Sequence, residues 1–367
     1  MTSYPLKDLS VVRATSPDQI RQVWLSNRVQ WGSTLDTDLW LEMADLRSHQ
    51  DFGSGFGYQI WILVPTAQAH DPNATILSAA HTFDRPGYLA TKDGQETVLR
   101  DVRVANVLLV FTPVHLRGHG YGKHLMRLLW EHFDQEEDSE KLKTDFSFLY
   151  SAIGPKFYEP LGWKTLPSFK LCIPTMNDGN VFEFPRHTET SGLTLEDITL
   201  DNLQDVVDKD ISQLASELLS KVANQNKRYL ALLPNASCIR RHLAEAQFVT
   251  QRVFHSSKAI DRIGARVRGG DAFILWGHRP QAQQLMVLRL RYTTLSQLQE
   301  LLKETVQEAS AWQLPAVEVY GVNDHHVAAT TGLQNQERIG ALSCLGEFQG
   351  KNNNPVELVV DEGFIWR

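Results

Sequence analysis

The stretch Asn106–Phe133, NVLLVFTPVHLRGHGYGKHLMRLLWEHF, decides the fold. Its first residues form an apolar run typical of a strand, and its second half repeats apolar residues with the helical period of 3.6. Gly118, Gly120 and Gly122 lie between the two patterns. Because glycines let a ligand approach the backbone closely, this junction predicts an anion site at the N-terminus of a helix.

The glycine spacing excludes two common phosphate-binding loops. A Walker loop needs four residues between its glycines and then Lys-Ser/Thr, whereas three residues separate Gly118 from Gly122 and His124 follows Lys123. A dinucleotide fingerprint needs G-x-G-x-x-G, and the sequence here reads G-x-G-x-G. The pattern that fits is R-x-x-G-x-G, formed by Arg117, Gly120 and Gly122.

A second motif, FLYSAIGPKFYEPLGW, follows at Phe148–Trp163 and predicts a strand and then a short helix. Together the two motifs resemble the GNAT superfamily of acetyl-CoA-dependent N-acetyltransferases. The resemblance implies acetyl-CoA as cosubstrate and an α/β (α+β) GNAT fold. That fold has a mixed central sheet with splayed parallel strands, flanked by helices. The β-rich segment ETVLRDVRVANVLLVFT before the loop predicts either one strand with a bulge or two short strands.

The resemblance also implies a set of site residues. Main-chain groups of one strand end would bind pantetheine, and the glycine loop would bind the diphosphate. The cofactor-binding residues are Val110, Phe111, Thr112, Arg117, Gly118, His119, Gly120, Tyr121, Gly122 and Lys123. Tyr158 matches the tyrosine that protonates the departing CoA thiolate; the alternative is a core tyrosine whose hydroxyl bonds a backbone carbonyl.

The general base is less clearly indicated by the sequence. His81 alternates with Ala79 and Phe83 on a predicted strand and shares their face, so it is a catalytic candidate. The alternative is a hydrogen-bonded histidine within a sheet. His115, His119 and His124 lack ligand spacing, and no metal site is expected.

A second domain is expected after a polar, proline-containing linker. We predict a catalytic domain at 1–187 and a degenerate GNAT-like domain at 188–367 that covers the substrate site. The second domain is called degenerate because Thr293-Thr294 replace the glycine loop at its strand–helix junction. The end of the sequence, DEGFIWR, offers a carboxylate for which a catalytic role is a hypothesis.

V-F-T-P, R-G-x-G-Y and L-Y-S-x-I-G-P-x-F-Y-x-x-L-G-W resemble the fungal lysine N6-acetyltransferase family. The resemblance implies direct acetyl transfer to the primary amine of a small molecule such as L-lysine. Alternatives are a protein-lysine acetyltransferase, a polyamine or secondary-metabolite acetyltransferase, and a non-catalytic acyl-CoA-binding protein. Candidate acceptor-binding carboxylates are Asp36, Asp38, Glu42 and Asp45.

Composition narrows the setting of this chemistry. The 367 residues carry a net charge of -7 with interspersed charges, which disfavours a nucleic-acid partner. Three separated cysteines form no metal or disulfide pattern, and no apolar run reaches the ~20 residues of a membrane helix. We therefore expect a cytoplasmic protein without membrane association, in a monomeric or homodimeric state that the sequence leaves open. The resemblance implies that its partner is a small-molecule amine.

Overall fold

A computed structural model shows a chain that alternates strands and helices throughout. The structure describes residues 4–32, 34–50, 57–135, 143–177, 180–185, 192–225, 227–321, 325–338, 341–348 and 354–365. The sequence also predicts a separate glycine-containing loop at Asp51–Gly57, DFGSGFG. Except for Gly57 it lies outside the described residues, as do Trp366 and Arg367.

The elements of the first part of the chain are β1 (Leu9–Arg13), α1 (Pro17–Trp31), α2 (Thr37–Ser48), β2 (Tyr58–Pro65), β3 (Ser78–Asp93), β4 (Glu96–Phe111), α3 (Tyr121–Gln135), β5 (Thr144–Ser151), α4 (Pro155–Tyr158), β6 (Lys164–Thr165), β7 (Phe169–Pro174), β8 (Met176–Asn177) and β9 (Asn180–Val181).

The later elements are β10 (Leu195–Ile198), α5 (Leu203–Gln225), β11 (Arg228–Leu232), α6 (Ala236–Phe248), β12 (Gly264–Val267), β13 (Phe273–Arg279), β14 (Gln284–Arg291), α7 (Leu295–Ala311), β15 (Ala316–Tyr320), α8 (His325–Thr331), β16 (Gln336–Glu337), β17 (Leu342–Glu347) and β18 (Val356–Leu358).

Two compact units interleave along the chain. Unit 1 comprises Met1–Leu89, Arg100–Leu166 and Ile339–Pro355, and unit 2 comprises Ala90–Leu99, Pro167–Arg338 and Val356–Arg367. The interleaving arises because β17 joins the sheet of unit 1 and β7 joins the sheet of unit 2. The predicted boundary between 187 and 188 lies outside the described residues and stays a prediction.

The sheet of unit 1 has the strand order β1-β2-β3-β4-β5-β17-β6. β4 and β5 are parallel, whereas β2 is antiparallel to β1 and β3, and β17 is antiparallel to β5 and β6. The parallel register ends where Val107 pairs with Leu149, although β4 continues to Phe111. The predicted mixed sheet with splayed parallel strands is therefore confirmed.

A bulge keeps β4 continuous through this opening. Val107 and Val110 pack against the same apolar cluster as the buried face of α3. In a regular strand residues three apart face opposite sides, so one extra residue must be accommodated between them. Leu109 takes that place with a φ of 50°. Of the two predicted alternatives, the structure has one strand with a bulge.

Helices cover both faces of this sheet with separate apolar clusters. On one face α3 buries Leu125, Met126 and Leu129 against Trp61. On the other face α1 buries Val23 in a cluster that includes Ile60. The alternation along β2 places Ile60 and Trp61 on these opposite faces, which defines an α1 face and an α3 face for every strand in unit 1.

Unit 2 repeats the arrangement with the order β10-β12-β13-β14-β15-β7-β16. β14 and β15 are its parallel pair, and their register runs from Gln284 opposite Ala316 to Val287 opposite Val319. α7 packs on this sheet through residues that include Leu298 and Leu302. A second GNAT-like unit is therefore present, as the sequence predicts.

In unit 2 the opening between the parallel strands contains a segment of the chain itself. The Glu362 carboxylate accepts a hydrogen bond from the Leu290 N–H at 3.1 Å and pairs with Arg289 at 2.7 Å. On the β15 side, a Cβ added to Gly321 would lie 2.6 Å from the Asp361 carbonyl oxygen. The segment Asp361–Gly363 thus lies between the ends of β14 and β15.

Substitution of Gly363 by valine is expected to destabilise unit 2, because a Cβ at this position would overlap the Val287 carbonyl oxygen. We expect a loss of about 1–3 kcal/mol in the free energy of unfolding, as for other overpacked sites. Chemical denaturation measures it. Gly192→Val is the matched control, since nothing lies within 4 Å of its added Cβ. Equal stability of the two variants would contradict the packing of this segment.

Within the described parts of the chain, no helix is both long and apolar enough to cross a membrane.

Candidate active site

The glycine loop forms an open concave backbone surface before α3. Gly118 and Gly120 have φ values of 87° and 81°, in the region that side chains rarely adopt. A Cβ on Gly118 would meet nothing within 4 Å, and one on Gly120 only Leu6 at 3.6 Å. These glycines are therefore required by backbone conformation, and the space above them is open to a ligand.

The first turn of α3 presents its N–H groups toward this surface. The His124 N–H bonds the Gly120 carbonyl at 2.9 Å, whereas the N–H groups of Tyr121, Gly122 and Lys123 lie in the first turn, where no intrahelical acceptor exists. Gly120 precedes the helix and has no side chain to cap it. Convergent N–H groups and the helix dipole together make a site for a diphosphate.

Four elements of unit 1 meet at Gly122. A Cβ there would lie 2.9 Å from Thr112 Oγ1, 3.8 Å from Phe157 and 3.9 Å from Ser78 Oγ. Ser78 Oγ donates to the Phe111 carbonyl at 3.0 Å and lies 2.9 Å from Thr112 Oγ1. This glycine is required by space, because it lets α3 start against the ends of β3 and β4 and beside α4.

The side chains of the loop differ in what they contact. Arg117 is exposed, donates to the Thr112 carbonyl at 3.1 Å and lies over the Phe111 ring at 5.5 Å. Tyr121 is 1% exposed, and its hydroxyl accepts from the Tyr4 N–H at 3.0 Å. Tyr121 therefore offers a ligand only its backbone, whereas Arg117 and the exposed Lys123 offer cations.

A cavity of about 540 Å³ lies between α1 and the end of β4. Phe111, Pro113 and His115 line one side, and Arg21 and Ser26 of α1 line the other. Phe111 belongs to the part of β4 that has left β5, so the cavity borders the predicted pantetheine strand.

Tyr158 ends α4 and belongs to the apolar cluster on the α3 face. It is 6% exposed, and burial raises the pKa of its phenol well above the usual value, so the hydroxyl stays protonated near neutral pH. Among the described residues no group forms a hydrogen bond with this hydroxyl. The alternative of a core tyrosine bonded to a backbone carbonyl is therefore not supported, and a role as proton donor stays a prediction.

His81 is completely buried on the α1 face. Its Nε2 lies 2.7 Å from Asn27 Nδ2, and its Nδ1 bonds the Tyr58 hydroxyl. Both ring nitrogens are thus engaged, and an acceptor amine has no direct path to the imidazole. The predicted role of His81 as the base stays a prediction, and any proton would reach it through a neighbour.

The corresponding junction in unit 2 has a different helix start. Thr294 caps α7 by accepting from the Gln297 N–H at 3.2 Å, and the Gln297 side chain accepts from the Thr294 N–H at 3.2 Å. This capping box occupies the N–H of the third helical residue, one of the three first-turn groups that α3 leaves open. The difference agrees with the prediction that the first glycine loop is the diphosphate site.

Two of the four carboxylates predicted for the acceptor have local roles. Asp36 caps α2 by accepting from the Leu39 N–H at 2.8 Å, and Asp45 lies 3.5 Å from the exposed His49. Asp38 and Glu42 are exposed on α2. The role of these residues in acceptor binding stays a prediction. Among the described residues no group of three or more His, Cys, Asp or Glu side chains could hold a metal ion.

Three residues of the site carry no sequence signal. Ser78, at the start of β3, contacts Thr112, which precedes the glycine loop. Asn27 and Tyr58 form hydrogen bonds with the two ring nitrogens of His81. None of them lies within the two motifs, and their spacing to His81 matches no short pattern. Only the packing of α1 and β2 against β3 brings them together.

Comparison with known proteins places this geometry in a family. Residues 181–367, slightly more than half of the chain, match the family model of the LYC1 GNAT-like C-terminal domain. The chain belongs to this LYC1-like GNAT family. The LYC1-like chain is also 22% identical over 332 residues to a protein from the yeast Yarrowia lipolytica named lysine acetyltransferase, with 80% of this chain and 79% of the relative covered.

Solved structures agree with this LYC1-like assignment at the level of the fold. A GCN5-related N-acetyltransferase from Kribbella flavida superposes with a TM-score of 0.51 at 13% identity. The alignment covers 92% of this chain and 70% of the Kribbella flavida chain. A GCN5-related N-acetyltransferase from Anabaena variabilis has a TM-score of 0.53 at 12% identity, and the alignment covers 92% of this chain and 72% of the Anabaena variabilis chain. The LYC1-like protein is thus an acyltransferase of the GNAT type, and this fold implies the use of acetyl-CoA.

Proposed function

We propose that this protein transfers the acetyl group of acetyl-CoA directly to the side-chain amine of a small molecule, with free L-lysine as the first candidate. The observation that carries the proposal is the open N-terminus of α3 beside the end of β4 that extends past its last pair with β5, with Tyr158 on the neighbouring α4. The name of the Yarrowia lipolytica relative supports a lysine acceptor.

The residues present fit acetyl-CoA. The uncapped helix start and the exposed cations Arg117 and Lys123 would hold the diphosphate, which carries negative charge. The main chain of Val110–Thr112, beyond the last β4–β5 pair, would hold the pantetheine amides. The Thr112 carbonyl already accepts from Arg117, and the Phe111 carbonyl accepts from Ser78 Oγ.

When bound, acetyl-CoA supplies a thioester whose carbonyl carbon accepts the amine and whose sulfur leaves as a thiolate. Tyr158 would hold a proton for that sulfur, because its hydroxyl is protonated near neutral pH and engages no described protein group. The buried position of Tyr158 limits competition from bulk water for the same proton. The acceptor amine must also lose a proton, which requires a base on the other side of the reacting carbon.

Thiol release from acetyl-CoA, measured with a panel of acceptors, tests the proposed function. We expect release with L-lysine and none with norleucine, which has the same chain length without the side-chain amine. Mass spectrometry should show a single acetyl group on the N6 atom. Faster turnover of a histone-tail peptide would favour a protein substrate, and faster turnover of spermidine would favour a polyamine.

Tight CoA binding without thiol release to any amine would contradict the proposal. That outcome would favour a non-catalytic acyl-CoA-binding protein.

A further inference from the structure

Three side chains from separate elements form a continuous hydrogen-bonded row on the α1 face. Asn27 of α1 is 1% exposed and bonds His81 of β3, which is 0% exposed, and His81 bonds the hydroxyl of Tyr58 on β2. Tyr58 alone is partly exposed. The row therefore leads from the surface of the sheet to a buried imidazole and ends at a buried amide.

The inner end of the row is incompletely satisfied. Asn27 Oδ1 is buried and has no hydrogen-bond partner among the described residues, while Nδ2 of the same amide contacts His81 Nε2. In this orientation Nδ1 carries the ring proton and donates to Tyr58. With the amide reversed, Oδ1 accepts from Nε2–H and Nδ1 accepts from the Tyr58 hydroxyl. Each orientation leaves one amide atom unpaired, so the row has two comparable hydrogen-bond arrangements.

The row lies beside the part of β4 where the acyl end of the donor is expected. Ser78 Oγ bonds the Phe111 carbonyl. Three residues along β3 lead from Ser78 to His81, and the same distance along the neighbouring β4, which holds the extra residue Leu109, leads from Phe111 to Val107. Val107 lies before the bulge at Leu109 and forms the last β4–β5 pair. With the diphosphate at α3, a donor that extends back along β4 would bring its thioester toward this bulge.

Charged side chains lie on the same elements as the row. Arg85 shares the face of β3 with His81 and is 0% exposed, and Arg28 of α1 donates to the Leu35 carbonyl. Asp84 alternates to the α3 face.

We propose that Tyr58 is the catalytic residue that receives the proton of the acceptor amine, directly or through one water, and that His81 and Asn27 are positioning residues behind it. The proposal rests on the proposed acetyl transfer. As the nitrogen–carbon bond forms and the carbon–sulfur bond breaks, the amine proton passes to the Tyr58 oxygen. In the arrangement with the Asn27 amide reversed, the original Tyr58 proton passes to His81 Nδ1, and Asn27 Oδ1 accepts from Nε2–H of the resulting imidazolium. The proton later leaves through Tyr58 to solvent.

Steady-state kinetics over a range of pH tests this relay. In Tyr58→Phe we expect kcat/KM for the amine to fall about 100-fold, within the range for loss of a general base, while CoA affinity stays unchanged. The acidic limb of the pH profile should disappear with it. Tyr88→Phe, at a partly exposed tyrosine on the neighbouring strand β3, is the matched control and should keep the rate and the profile of the wild type.

Asn27→Asp gives a second readout that a purely structural role would not move. A carboxylate at this position raises the pKa of the adjacent imidazole. Because the neutral imidazole is the active form, the acidic limb of kcat/KM should move to higher pH. An unchanged limb in Asn27→Asp, or a wild-type rate in Tyr58→Phe, would overturn the relay and leave the proposed acetyl transfer intact.

A third outcome would also overturn the relay. If Tyr58→Phe lowered both the turnover rate and the melting temperature but kept the wild-type pH profile, the role of Tyr58 would be structural. Absence of acetyl transfer by the wild-type protein itself would overturn the proposed function and the relay together. CoA titration of each variant shows that the donor site is folded.

Discussion

Gly120→Asp is expected to raise the dissociation constant for CoA at least about 100-fold. A carboxylate at this position would stand on the open surface of the loop, where a Cβ meets only Leu6, and would face the diphosphate. Like charges brought together in a binding site cost several kcal/mol, and each ~1.4 kcal/mol is a factor of ten in affinity. Calorimetric titration with CoA measures the effect directly.

Gly94→Asp is the matched control for this variant. Gly94 also has a positive φ, 62°, and open space around its added Cβ, but it lies in the turn between β3 and β4. It therefore reproduces the added charge and the backbone strain away from the loop. If both variants bound CoA with wild-type affinity, the glycine loop would not be the diphosphate site.

Tyr158→Phe is expected to lower kcat about 100-fold with little change in CoA affinity, because a proton donor acts on the departing thiolate and not on the bound ground state. The substitution removes only the hydroxyl, which bonds no described residue, so the free energy of unfolding should stay close to that of the wild type. Steady-state kinetics and chemical denaturation together separate these two expectations.

The opposite combination is expected of Tyr229→Phe in unit 2. The Tyr229 hydroxyl donates to Gln225 at 2.7 Å, so its removal should cost about 1 kcal/mol of stability and leave kcat unchanged.

The pKa of Tyr158 is raised by burial, so its ionisation should not limit the rate as the pH rises modestly above neutral. Full turnover by Tyr158→Phe would refute its role as the acid.

The two units show how one arrangement supports two different outcomes. Each has a parallel strand pair that separates, after Val107 in unit 1 and after Val287 in unit 2. In unit 1 the helix that follows starts uncapped behind glycines, while in unit 2 α7 has a capping box and Asp361–Gly363 occupies the strand opening. The capping box and the inserted segment occupy backbone groups in unit 2 that an acetyl donor would need.

The sequence by itself determined the strand, glycine loop and helix at Asn106–Phe133 and the helix that ends at Tyr158. It also indicated that the glycine loop has no counterpart before Leu295. These features were predictable because glycine spacing, apolar period and helix start signals act within a few consecutive residues. The same local reasoning left a bulge or two strands open for β4, because alternation alone does not locate an extra residue.

Only the tertiary structure decided which distant residues meet. Asn27, Tyr58 and His81 come from three elements, and no local pattern records that α1 and β2 place their polar side chains around one imidazole. The same holds for β17 beside β5 and for Glu362 beside Leu290, which are separated by many residues in the chain. Strand pairing and side-chain packing over such separations depend on the whole core, so short sequence motifs identify the donor loop but not the groups that surround the acceptor.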